Sequence, residues 1–405
     1  MEHVNAGDTA WLLTSAALVM FMTIGLGFFY GGLVRSKNVM GTIMQSFIAL
    51  ALVTVLWVLI GYTLAFGPDK GGVIGGLTYL GLKGVGAAPN AYAPTVPATA
   101  FMVYQLMFAI ITPALIAGAF AERMKFTGYL MFIGIWSVVV YAPVVHWEWG
   151  GGFLGANGVG ALDFAGGAVV HANAGAAALA AAIYLGKRKG HQVDDMSPHN
   201  IPFVILGAGI LWFGWFGFNA GSALASNALA SSAFVNTQLG AAAAVFGWII
   251  LERIVTGRVT TIGAATGAVA GLATITPASG YVQPLGALLI GLIAGVICFE
   301  AVNLKERFGY DDSLDVVGVH MIGGIIGVLL TGALTSLVIN AAGASASLTQ
   351  VGKQAVLAGV TVVFSFVATM AILKITDGTI GLRVSEEHED AGLDASQHGE
   401  IAYRT

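Results

Sequence analysis

Eleven apolar runs, each close to the length of a membrane-crossing helix and separated by turns rich in charge or in Gly, Pro and Asn, constrain this chain most. They lie near 9–30, 40–66, 99–120, 127–147, 163–186, 201–222, 232–251, 260–277, 284–303, 314–338 and 353–374. About 20 apolar residues cross the hydrocarbon core as a helix. Lipid satisfies no backbone N–H or C=O, so such runs fold as helices that satisfy their own. Charged residues make up 9% of the 405 positions, against roughly 25% in soluble domains, too little to coat a water-facing globule. The 57 glycines and tracts such as Ala174–Ala182 suit helices packed closely through small residues. The run at 260–277 is the weakest, being short and rich in Gly, Ala and Thr. No basic segment precedes the first run, so it reads as a span and not as a cleaved signal. The single cysteine, Cys298, sits in an apolar run and reads as a small buried hydrophobe. A net charge of −4 gives no reason to expect a nucleic-acid partner.

Lysine and arginine orient the spans. One set of alternate loops holds Arg35, Lys37, Arg123, Lys125, Lys187, Arg188, Lys189, Arg253, Arg258, Lys305 and Arg307, and the C-terminal end adds Lys374, Arg383 and Arg404. The opposite set holds Lys70, Lys83 and Lys353, a split of fourteen against three. The expected class is therefore an all-α polytopic membrane protein with eleven transmembrane helices, the N-terminus outside and the C-terminus cytoplasmic. Spans 1–5 and 6–10 read as two inverted five-helix halves, about 9–186 and 201–338, with span 11 outside the repeat. The transmembrane domain covers 1–376 and a cytoplasmic tail 377–405. Gly25–Gly32 (GLGFFYGG) echoes Gly214–Gly221 (GWFGFNAG), and Asp163…His171 echoes Asp312…His320 with the same eight-residue spacing. Inverted repeats place substrate sites at their interface near the midplane.

Ionisable side chains inside a membrane are costly and usually functional. At helical rise, His171, eight residues after Asp163, lies about 12 Å from the outer end of span 5, and His320, eight residues beyond Asp312, about 12 Å from the inner end of span 10. Two antiparallel helices thus bring one imidazole each to nearly the same depth of a core about 30 Å thick. Neutral imidazole offers one donor and one acceptor, so a facing pair can share a proton. Two separately satisfied histidines are the plain alternative, and a metal site the other. No Cys, Asp or Glu is evident at that depth to complete a ligand set, so no metal and no cofactor is expected. Asp163 reads as an N-cap whose carboxylate meets free backbone N–H groups, or as a charge drawing cations to the outer mouth, and the two are compatible.

Aromatic residues gather at the outer span ends: Trp149 closing span 4 in His146–Gly152 (HWEWGGG), Phe108 in span 3, and Trp215 and Phe218 below Ser222 in span 6. An interfacial belt would explain most of them. A tryptophan face and a hydroxyl above a phenyl ring would also suit a small cation, with the phenyl as a dry constriction.

These motifs together resemble the Amt/Mep/Rh ammonium transporters, the bacterial and archaeal Amt branch in particular. The likeness runs through Gly25–Lys37 (GLGFFYGGLVRSK), Ala121–Lys125 (AERMK), Leu162–Gly167, Val169–His171, Gly214–Ser222, Asp311–His320 (DDSLDVVGVH) and the tail Gly381–Tyr403. It implies a homotrimer of eleven-helix subunits, each with its own pore, in a prokaryotic plasma or inner membrane. It implies an outer recruitment site of Trp149, Phe108 and Ser222 supported by Asp163, a gate of Phe108 and Phe218, and a pore lined by His171, His320, Trp215, Tyr141 and Tyr104. Tyr104 stands where relatives often carry Phe, and Glu148 where an apolar residue is expected; Glu148 either attracts cations or faces water. The implied function is transport, not enzymatic: NH4+, or methylammonium as its analogue, is recruited and deprotonated. NH3 then passes the histidines, and the proton returns outside or travels separately. An ordered tail linking subunits and a cytoplasmic PII (GlnK-type) partner are also implied. An ammonium sensor that barely transports, and more remotely an intramembrane enzyme, are the alternatives.

Overall fold

The computed structural model describes residues 4–403; the first three residues and Arg404, counted above in the charge asymmetry, lie outside them. Among the described residues, ten helices are long and apolar enough to cross a membrane: α1 Ala6–Leu33, α2 Ser36–Phe66, α3 Ala98–Phe120, α4 Phe126–Glu148, α5 Gly167–Leu185, α6 Ile201–Gly221, α7 Ala228–Thr256, α9 Pro284–Phe308, α10 Val317–Leu334 and α11 Leu348–Ile380. The weakest run becomes α8, Thr261–Ile275, with 15 residues. At 1.5 Å per residue it is about 22 Å long, shorter than the hydrocarbon core. The expected eleven are thus ten long helices and one short one. The short helix is held inside the bundle by α7, α9, α6 and α10.

Helix starts follow local capping chemistry. Asn5, Asn200, Asn227, Thr260 and Ser347 each accept a backbone N–H from the first turn of α1, α6, α7, α8 and α11, satisfying one of the orphan donors there. Glycines in the left-handed conformation end α7 at Gly257 (φ 78°) and α9 at Gly309 (φ 75°), where L side chains are strained.

The packing pairs corresponding helices of the two five-helix segments. α1 lies along α6, and the start of α5 packs against α10 while the start of α10 packs against α5. In the apolar windows, 89% of α3 and 83% of α5 are buried, against 28% of α2 and 33% of α7. The first two therefore form the centre. Exposed apolar side chains such as Phe246, Ile250, Leu285 and Leu292 mark α7 and α9 as elements with an apolar outer face. A small antiparallel hairpin, Asp69–Lys70 against Ile74–Gly75, is the departure from an all-helical chain. It lies in the long connection between α2 and α3.

The tail is ordered. After α11, a short α12 (Glu386–Ala391) and a π-helical turn at Asp394–His398 fold back onto the connections that carry most Lys and Arg. Lys125 N–H donates to Leu382 C=O (2.7 Å), Leu393 N–H to Asn38 Oδ1 (2.8 Å) and Gly41 N–H to Asp394 Oδ1 (2.8 Å). Beneath it Arg188 bridges two buried carboxylates, reaching Asp311 at 2.9 Å and Glu122 at 3.1 Å. Burial pushes the Asp311 carboxyl up, but Arg188 and Arg123 more than offset this and hold it below the usual carboxylate range. Glu122 is likewise lowered, against burial, by Arg188 and Arg35. Burial pushes the Arg123 guanidinium down to about 10.

Candidate functional site

A row of rings runs through the centre of the bundle. Trp149 meets Phe108 edge-on at 6.1 Å between centroids, Phe108 meets Phe218 at 4.3 Å, Phe218 meets His171 at 5.9 Å and His171 meets His320 at 5.2 Å. α4, α3, α6, α5 and α10 each supply a member or, for Trp149, the adjoining residue.

At one end the row opens into a vestibule of about 380 Å³ lined by Trp149, Phe108, Asp163, Ser222, Glu148 and Tyr281, among others. Trp149 Nε1–H donates to Asp163 C=O at 2.8 Å, which fixes the indole plane. Ser222 caps α6, and its hydroxyl lies 2.9 Å from Phe218 C=O and 3.1 Å from Tyr104 Oη. Tyr104 also packs edge-on against Phe108 at 5.0 Å. It stands behind both, and its hydroxyl ties Ser222 to the last turn of α6. The Asp163 carboxylate is consumed by the fold: Oδ1 accepts Gly166 and Gly167 N–H (2.8 and 2.7 Å), Oδ2 Ala168 and Val169 N–H (2.8 and 3.1 Å). Glu148 does not face open water; it is 8% exposed.

Phe108 and Phe218 are 1% and 0% exposed and close the vestibule floor. Below them a space of only about 10 Å³ is lined by His171, His320, Trp215, Phe218 and the apolar residues Leu26 and Val269, roughly one water in size. Trp215 is held by its Nε1–H to Thr276 Oγ1 at 2.8 Å. His320 also borders a second cavity of about 40 Å³ that reaches Asp315 at the start of α10.

The two histidines are in direct contact, Nδ1 to Nδ1 at 3.2 Å with ring planes 17° apart. The distance fits a hydrogen bond in which one Nδ1 donates and the other accepts, the roles set by the tautomers. His171 Nε2 has no partner among the described residues. Both histidines sit in π-helical turns, Gly167–Ala172 and Val317–Ile322, a rare geometry frequent at functional sites. Gly175 allows the approach: a Cβ there would stand 2.3 Å from Met321 N. Among the described residues no third His, Cys, Asp or Glu joins the pair to form a metal-binding group.

Two expectations are corrected. α5 begins at Gly167, four residues after the expected 163, and α10 at Val317, three after the expected 314. Gly166 (φ +122°) breaks the helix before the first turn, and the carboxylate caps from outside. The 12 Å depths counted from the aspartates therefore assume helix where the backbone is not helical. Tyr104 and Tyr141, expected to line the pore, are absent from the residues lining these cavities; Tyr104 is held behind Phe108 and Ser222, and Tyr141 is buried in an aromatic cluster with Trp57 and Trp136 (6.3 and 6.4 Å). Sequence reasoning missed Tyr30 at both lower cavities and Phe164 and Tyr281 in the vestibule. Tyr30 and Phe164 lie inside motifs already singled out; Tyr281 carries no local signal.

Residues 10–403 match the family model described as the Ammonium Transporter Family. The chain belongs to that family. The "Ammonium transporter" of Bacillus subtilis is 49% identical over 406 residues, 99% of each chain. The crystal structure of Candida albicans Mep2 superposes with a TM-score of 0.89 at 35% identity, covering 99% of this chain and 91% of that one. A structure described as "Sensor Amt Protein" gives the same TM-score at 28% identity, covering 97% and 98%.

Proposed function

We propose that this family member transports ammonium across a membrane. The observation that carries the proposal is the unbroken row from Trp149 through Phe108 and Phe218 to His171 and His320. It has a roomy vestibule at one end and a space of about 10 Å³ beside the histidines. In this reading NH4+ leaves water at Trp149 and Ser222, where the indole face and a hydroxyl lone pair replace part of its hydration. The apolar passage below Phe218 penalises a bare ion far more than neutral NH3, so the proton is given up above it. NH3 then passes the imidazole nitrogens, while the hydrogen-bonded pair offers the separated proton its own route.

The same reading takes α8 as a short eighth span, the vestibule as the outer face and the ordered tail as cytoplasmic, with three chains per assembly. The tail face would be where a PII-type protein docks. The test is reconstitution into proteoliposomes. Radiolabelled methylammonium uptake and ammonium-evoked current on a solid-supported membrane are measured for the native chain, His171→Ala, His320→Ala and the double variant. Absence of uptake by the native chain overturns transport; uptake without current leaves net NH3 passage. A sensor that binds without transport is the second reading, favoured by the likeness to the sensor structure. Ammonium-dependent thermal stabilisation without uptake would support it.

A further inference from the structure

The vestibule is lined by Glu148, one of whose carboxyl oxygens the fold leaves without a partner. Glu148 is the last residue of α4, where the carbonyl end of the helix disfavours negative charge. It is 8% exposed, and its Oε2 has no hydrogen-bond partner among the described residues. It forms no ion pair among them, and the residues lining the vestibule include no Lys, Arg or His. The burial is built in: Leu154 and Gly155 N–H donate to Trp147 C=O at 3.0 and 2.9 Å, folding the following loop over the end of α4.

Its neighbour Asp163 differs in kind. Four backbone N–H groups occupy that carboxylate, so it has little left to offer a ligand. A buried carboxylate without a partner is costly, and residues that break local rules without internal compensation concentrate at functional sites. Glu148 directly precedes Trp149 and lines the same cavity as Trp149 and Ser222.

We propose that Glu148 is a cation-binding group of the vestibule, whose carboxylate accepts an N–H of ammonium or a primary alkylammonium held against Trp149. This rests on the transport reading and assigns to one side chain the strength of capture. Phe108, Phe218 and the histidines govern passage after capture, so Glu148 sets half-saturation and leaves the maximal rate to them.

The experiment compares the native chain with Glu148→Gln and Glu148→Asp in proteoliposomes, measuring initial methylammonium uptake against concentration. A hydrogen bond to a charged group is worth roughly a tenfold change in binding. Glu148→Gln should therefore raise half-saturation roughly tenfold with a maximal rate within about twofold of native, and Glu148→Asp should fall between. Unchanged half-saturation in Glu148→Gln overturns the proposal. So does a fall in maximal rate alone, which marks a structural role. If the native chain takes up nothing, the transport reading fails by itself. Glu148 is then judged by thermal stabilisation in detergent with ammonium chloride against sodium chloride at equal ionic strength. Roughly tenfold more ammonium needed by Glu148→Gln supports the site, since binding to the folded state stabilises it by mass action; identical curves refute it.

Discussion

Replacing Asp163 by Asn separates two roles that a carboxylate lining the vestibule can have. In the native chain two N–H groups point at each carboxylate oxygen, at 2.7–3.1 Å. An amide has one oxygen, which can keep Gly166 and Gly167 or Ala168 and Val169. The NH2 then faces the other two donors with a donor. Two buried N–H groups lose their acceptor at about 1–3 kcal/mol each, so Asp163→Asn should cost about 2–6 kcal/mol. Asp163→Ala, which orphans all four, should cost more. The start of α5 loosens, and with it the π-helical turn that aims His171. Thermal unfolding in detergent, followed by tryptophan fluorescence, should show a midpoint lowered by roughly 2–7 °C, with uptake reduced in parallel. A midpoint within about 1 °C of native, with uptake abolished, would refute this reasoning and make Asp163 a cation group first and a cap second.

The inverted partner should respond less. Asp312 receives Val317 N–H at 2.7 Å on one oxygen, and its other oxygen is unpaired. Asp312→Asn keeps that acceptor and should cost about 1 kcal/mol or less, visible as a much smaller midpoint shift in the same assay. Arg188→Met takes the main partner from Asp311 and leaves Glu122 with Arg35 alone, and should cost about 3 kcal/mol. The Asp311 carboxyl is held below its ordinary value, so its stabilisation is present above about pH 4 and is lost as pH falls further. The native midpoint should therefore drop as pH falls below about 4, and the slope should be shallower in Arg188→Met. Phe218→Ala removes the ring 4.3 Å from Phe108 and should raise potassium leak into proteoliposomes roughly tenfold; a leak equal to native would argue against a ring gate.

The bundle was legible because lipid imposes a simple rule on composition: a helix must be apolar for about 20 residues, and ten of the expected runs are such helices. α8 was the weakest run for the same reason that it is short. Its Gly, Ala and Thr residues pack against α7 and α9 and do not themselves supply 30 Å of apolar length. The burial of Glu148 was not legible, since it depends on the loop that follows folding back over α4. Nor was the Glu122–Arg188–Asp311 cluster, whose members stand far apart in sequence and meet only when the tail-side connections close.

The histidine pair shows why one inference held although a step in it failed. Counting helical rise from Asp163 assumed regular helix through Gly166, whose backbone at φ +122° is not helical. It also assumed 3.6 residues per turn through His171, which lies in a π-helical turn. Neither feature has a reliable one-dimensional signal. Yet the second half departs in the same way: α10 also starts with a π-helical turn, and Asp312 caps Val317 as Asp163 caps Ala168, each five residues on. Two segments carrying the same irregularity offset their histidines alike, so the local rise does not separate them, and the imidazoles meet at 3.2 Å. The equal eight-residue spacing was therefore the informative quantity, and the absolute depth drawn from it was not.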